Sequence, residues 1–209
     1  MAKRFSWAVL LSAAVILLPA LACAQGEPRA TPKPKPPEAP AKLPKVGVEK
    51  SKGLDFLFGA LKAAPDEVSA KHVEARIWAI WLQTSSDTVA LLMSRSKAAM
   101  DARQTDVALK LLDSVIKLRP DYVEAWNRRA TIYYLQNDYG RSLSDIQQVL
   151  TREPRHFGAL AGLGMIMQDL GEDKRALDAF RKALDVNPHL EKVPELVKTL
   201  TEKVEGRDI

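Results

Sequence analysis

The sequence predicts an all-α fold, a short right-handed α-solenoid of stacked helix-turn-helix units with a helical cap at each end. Three observations carry that expectation. Pro120 in KLRPDY, Pro154 in TREPRHF and Pro188 in DVNPHL stand 34 residues apart. Aligning the chain on them makes residues 89–122, 123–156 and 157–190 three units whose positions recur in phase. Within each unit apolar residues fall at i, i+3, i+4 and i+7, the period of amphipathic helices.

The first 24 residues stand apart from that pattern. Lys3 and Arg4 precede an apolar run from Trp7 to Leu18, then Pro19 and small residues ending Ala22-Cys23-Ala24. This is the charge, apolar core and cleavage pattern of a secretory signal peptide, with cleavage expected between Ala24 and Gln25. Ala20-Leu21-Ala22-Cys23 also matches a degenerate lipobox, in which Cys23 would carry lipid and anchor the chain as an envelope lipoprotein. An uncleaved signal anchor is the third reading, because the run is just long enough to span a bilayer. Cleavage after Ala24 removes the single cysteine, leaving neither a disulfide nor a thiol nucleophile.

Residues 25–52 read as a disordered Pro/Lys-rich linker. Seven prolines lie between Pro28 and Pro44 with almost no large apolar side chains, so the segment cannot bury enough surface to fold. Its seven basic residues face only Glu27, Glu38 and Glu49, a net +4 that suits weak contact with an anionic envelope surface. The whole chain is +5. Without Lys3 and Arg4, residues 53–209 therefore sum to −1, which excludes a basic nucleic-acid-binding domain.

Residues 53–88 hold a helix pair, GLDFLFGALKAA and PDEVSAKHVEARIWAIWLQT. Pro65 opens the second helix, and Val73, Ile77, Ile80 and Trp81 form its inward stripe, with Trp78 also expected in the core. The pair departs from the 34-residue pattern and reads as a diverged repeat or N-terminal cap. In each of the three units that follow, small residues stand at the eighth position (Ser96, Ala130, Gly164) and the twentieth (Ala108, Ser142, Ala176), where two antiparallel helices approach closely. Bulky residues such as Trp126, Tyr133, Ile146 and Phe180 fill the space around that contact. Arg103-Gln104, Asn137-Asp138 and Gly171-Glu172 make the turns, of which Asn137 and Gly171 best tolerate a left-handed backbone. Each proline then stops the second helix. Residues 191–209 supply the C-terminal capping helix, with Leu196, Leu200 and Val204 at helical spacing. One hairpin cannot cover its own apolar face, so the units must stack.

These recurring positions, over residues 89–190, resemble the tetratricopeptide repeat (TPR) family. The resemblance implies a non-enzymatic protein-binding scaffold without a cofactor, whose first (A) helices line a concave groove for a partner protein or peptide. It places the second, fifth, ninth, twelfth and thirteenth residues of each unit on that groove. The candidate groove residues are Met93, Lys97, Asp101, Asn127, Thr131, Tyr134, Met165 and Gln168, with Ala90, Met100, Glu124, Leu135, Gly158, Ala161 and Asp169 beside them. The family's carboxylate clamp would fall on Ser94, Arg128 and Gly162, which do not reproduce it and argue against a chaperone-tail receptor.

The inventory for catalysis is thin. No HExxH, CxxC, GxSxG or phosphate loop is present, and His156 and His189 close successive units too far apart to share a metal. Acids such as Asp106, Asp113 and Glu124 are expected on a solvated face, and Arg129 is expected to lay its stem over the core with its charge outside. The reading is an exported bacterial adaptor in the periplasm or secreted. Its alternative is a membrane-anchored structural component in which the array is a spacer or oligomer contact.

Overall fold

A computed structural model describes residues 46–206. The expected signal peptide, lipidation site and most of the linker lie outside the described residues. The linker's last seven residues do not: helix α1 runs Val46–Lys62, so helix starts inside the stretch read as disordered. It is followed by α2 (Glu67–Leu82), α3 (Asp87–Asp101), α4 (Thr105–Leu118), α5 (Val123–Leu135), α6 (Tyr139–Arg152), α7 (Phe157–Asp169), α8 (Asp173–Val186) and α9 (Val193–Val204). The described residues contain no strand, and none of these helices is long and apolar enough to cross a membrane.

The helices pack pairwise, α3 with α4, α5 with α6 and α7 with α8, and each pair's second helix meets the next pair's first. All three intra-unit turns close in one way. The residue at the left-handed position donates to the second carbonyl back in the helix, and the next N–H reaches further back: Gln104 to Ala99, Asp138 to Tyr133 and Glu172 to Met167, each at 2.8 Å. The left-handed residues are Arg103 (φ 59°), Asn137 (φ 59°) and Gly171 (φ 76°). Arg103 adopts this conformation without the help that glycine or asparagine chemistry gives, at a cost of about 1 kcal/mol.

Close approach inside each pair depends on the small residues. Ser142 Oγ donates to the Ala130 carbonyl across the α5–α6 contact at 2.8 Å. A Cβ added at Gly164 would lie 2.5 Å from the Phe180 ring. One core joins α5–α8 to α9 through residues such as Ile146, Ile166, Phe180 and Leu200. A second joins α3–α4 to Ala125 and Ile132 of α5. The C-terminal cap docks as expected, with Leu200 buried and Leu196 and Val204 half-buried.

The N-terminal pair takes a place that the sequence does not announce. Its core (Leu54, Leu57, Phe58, Leu61, Ile77, Trp81) closes on Phe157 at the start of α7, with Val186 and Leu190 from the end of the third unit. Arg155–Asp55 (2.7 Å), Lys71–Glu191 (2.9 Å) and the Asn187 amide on Glu74 (3.0 Å) ring that contact. The hairpin therefore folds back onto the third unit instead of extending the stack.

Candidate functional site

The first helices of the units, α3, α5 and α7, present the residues that sequence places on a groove. Lys97 and Thr131 are exposed, and Met165 is 38 % exposed. Lys97 pairs with Asp101 at 2.6 Å, one helical turn away. The Thr131 hydroxyl donates back to the Asn127 carbonyl (3.0 Å), which keeps its methyl outward. Asn127 and Gln168 are half-buried. Tyr134 is half-buried too, its ring 6.0 Å from that of Tyr139; burial first, then neighbouring Asp169, raises its phenol pKa.

Two adjoining cavities open on this face and share Thr131. The first, about 220 Å³, is walled by Met100, Leu112 and Ile132, with Lys97 and Arg128 among its lining residues. The second, about 70 Å³, is lined by Asn127, Tyr134, Gly162 and Met165 among others. Five of the eight candidates (Lys97, Asn127, Thr131, Tyr134, Met165) thus line one or both cavities. Arg128 was considered in the sequence only for a clamp; beside Lys97 it makes a cationic edge to an apolar hollow. Its signal is weak, because an arginine at the sixth position has a purpose only once Leu112 and Ile132 are known to lie beneath it.

Three expectations are corrected. Met93 is not in the groove: at 5 % exposure it packs in the α3–α4 core, because the helix turns its fifth position inward against α4. Glu124 is neither solvated nor open to a partner; it is 2 % exposed and bonded to His156. Arg129 does not carry its charge outside. It bridges Asp145 (2.8 Å) and Asp113 (2.6 Å) with its guanidinium 5.0 Å from the centre of the Trp126 ring, and the Asp145 hydrogen bonds lead in raising its pKa. His156, which closes the second unit as expected, is fully buried.

His156 holds a node of its own. Its Nδ1 accepts the Ala159 N–H (3.0 Å), capping α7, so Nε2 is the nitrogen that donates to Glu124 (2.7 Å). The Trp81 ring stacks on the imidazole with centroids 4.2 Å apart at 15°. Trp78 lies over Gly158, where an added Cβ would come within 3.1 Å of the indole. The hairpin thereby packs on the second groove position of the third unit, and the second cavity opens beside it between α5 and α7. A wider crevice of about 870 Å³ lies between the hairpin and the inter-unit turns; its Arg119 is paired with Asp121 and its Arg155 with Asp55 and Glu153, while its Arg152 is hydrogen-bonded to Gln148.

Comparison with known proteins returns the same architecture. A tetratricopeptide repeat family model matches residues 94–146 and 136–190. A TPR repeat-containing protein of Rhizobium etli is 40 % identical over 153 residues, covering 73 % of this chain and 75 % of that one. Among solved structures, the first TPR domain of Spaghetti (RPAP3) bound to the HSP90 peptide SRMEEVD matches with TM-score 0.54 at 13 % identity, over 58 % of this chain and 97 % of that one. The Thermobaculum terrenum O-GlcNAc transferase matches with TM-score 0.54 at 17 % identity, over 60 % of this chain but 25 % of the enzyme. These two structural likenesses show the fold alone, and the second shows that such an array also occurs inside an enzyme.

Proposed function

The chain belongs to the tetratricopeptide repeat family, and from that premise we propose that it is a non-enzymatic adaptor of a bacterial cell envelope, exported by its N-terminal segment. Its A-helix face captures a short peptide segment of a partner protein. The observation that carries this reading is the 220 Å³ hollow, apolar on its floor and edged by Lys97 and Arg128. An aliphatic side chain seated against Met100, Leu112 and Ile132 would be desolvated there, and a neighbouring carboxylate would meet Arg128, with Lys97 shared between it and Asp101. Ser94 and Gly162 do not supply the long cationic or amide side chains that a carboxylate clamp uses at those positions, which argues against a chaperone tail as the segment. The exported location is supported by Lys3, Arg4, the apolar run and the Ala22–Ala24 cleavage pattern.

The test uses the full chain with a C-terminal tag, expressed in the bacterium that carries it. Fractionation is expected to recover it from the envelope with Gln25 as its first residue. Capture from that fraction is then compared between wild type and Lys97→Glu/Thr131→Tyr, which reverses one edge charge and fills the shared wall, with circular dichroism confirming equal helicity. A protein recovered by wild type and lost at least tenfold from the variant supports the groove. Recovery of identical proteins by both, or of none, overturns it.

A further inference from the structure

The units stack through one set of positions used twice, and in the first unit no helix among the described residues lies across the matching positions. In the second unit the third, seventh and tenth residues are Ala125, Arg129 and Ile132. Ala125 and Ile132 are 0 % and 1 % exposed because α4 lies across them. In the third unit, Ala159 and Ile166 are 2 % and 0 % exposed under α6. The matching residues of the first unit are Leu91, Arg95 and Ala98. Leu91 is 54 % exposed, and Arg95 and Ala98 are exposed as well. The helix pair that precedes them in sequence does not cover them, since α1–α2 is held on the third unit by Phe157 and its surrounding ion pairs.

We propose that this open face of α3 is a second docking site, distinct from the groove, for a single amphipathic helix of another protein that brings a carboxylate to Arg95. The chemistry follows from how the chain treats the equivalent arginine. Arg129 takes one carboxylate from its own unit, Asp145, and one from the preceding helix, Asp113. The first unit has Leu111 at the position of Asp145, and Arg95 makes no ion pair among the described residues. A carboxylate from a helix lying across the face, at the place Asp113 holds one unit later, would pair with it. The helical form of the occupant follows from the two filled copies of the interface, each made by one 14-residue helix, α4 or α6.

Among the described residues a second copy of this chain does not supply that helix: the matching face of its α3 brings Arg95 and not a carboxylate. The apolar face of α4 is used by α5, that of α6 by α7, and that of α8 by α9, while α1 and α2 share a core closed by Phe157. The stretch from Pro28 to Pro44, with seven prolines, has no amphipathic stripe to offer either.

The test is photo-crosslinking in cells from the full-length chain with p-benzoylphenylalanine in place of Leu91, followed by mass-spectrometric mapping of the joined peptide. The expected product is an adduct with a segment of another protein that has helical apolar spacing and an Asp or Glu beside its stripe. Arg95→Glu is expected to reduce the adduct at least fivefold without loss of helicity. The groove variant Lys97→Glu/Thr131→Tyr is expected to leave it unchanged, so the two sites stand or fall separately. An adduct with a second copy or with the chain's own N-terminal segment overturns the proposal. So does an adduct with a segment lacking an acid, one indifferent to Arg95→Glu, or no adduct at all.

Discussion

Gly164 and Phe180 show how tightly single residues are specified here. The eighth position is small in all three units, but only in the third does a full aromatic ring sit against it, with ring carbons 2.5 to 2.8 Å from where a Cβ would be. Phe180 is fully buried and is not the flexible end of a long chain, so it cannot yield cheaply. Gly164→Ala is expected to destabilise the protein by about 1–3 kcal/mol, read as a lowered urea midpoint at unchanged slope. Ala130→Gly at the matching position of the second unit would instead combine lost helix propensity with loss of a buried methyl, about 1–2 kcal/mol together. Arg95 and Arg129 make the complementary point. They share a position in the repeat, yet one is exposed and the other bridges two carboxylates, because only the second has a helix in front of it.

At the scale of elements, the repeat explains why the helices begin and end where they do, and the last one shows how an array is closed. Helix α9 starts with Pro194 in its first turn, buries Val193 and Leu200, and turns Lys198, Thr199 and Glu202 outward. Its far end is tied to α8 by Arg181, which reaches Glu205 at 2.8 Å. The Arg181 hydrogen bond holds the Glu205 carboxyl below its ordinary value of 4.5. A depressed carboxylate stabilises the fold above its unfolded pKa, and that contribution is lost as pH falls through the folded value. The protection of amides in the last turn of α9, relative to their intrinsic exchange rate at each pH, is therefore expected to fall below about pH 4.5, in the range where Glu205 takes up its proton. In Arg181→Met the extra loss of protection should vanish, and an unchanged pH profile in that variant would rule out this tie as its cause. The pair is half-exposed at the surface, so the effect belongs to the helix end and not to global stability.

For the whole molecule, the decisive feature is the return of the N-terminal hairpin to the third unit. Trp81 is 3 % exposed, stacks on His156 and packs on Phe157, yet its indole nitrogen has no hydrogen-bond partner. Its contribution is apolar and aromatic contact, which outweighs the unmade bond. Trp81→Ala is expected to cost about 3–5 kcal/mol at this junction, and hydrogen exchange should show α1 and α2 losing protection while α3 and α4 keep theirs. Equal loss throughout would mean that the chain unfolds as one unit. The 34-residue period by itself determined the all-helical class, the three units, their turns and the C-terminal cap, because a stacking repeat can satisfy its apolar faces in one way. It also pointed to α3, α5 and α7 as the helices of the expected groove, and Lys97, Asn127, Thr131, Tyr134 and Met165, which line the two cavities, could be named from position alone. Tertiary structure decided the rest. Met93 and Glu124 turn inward, Arg128 edges a hollow, and α1–α2 docks a hundred residues away and leaves the first unit's face open. Periodicity reports contacts between neighbours in the chain, whereas a hairpin's resting place depends on shape and charge, Trp81 on His156 and Asp55 on Arg155, that no local pattern encodes.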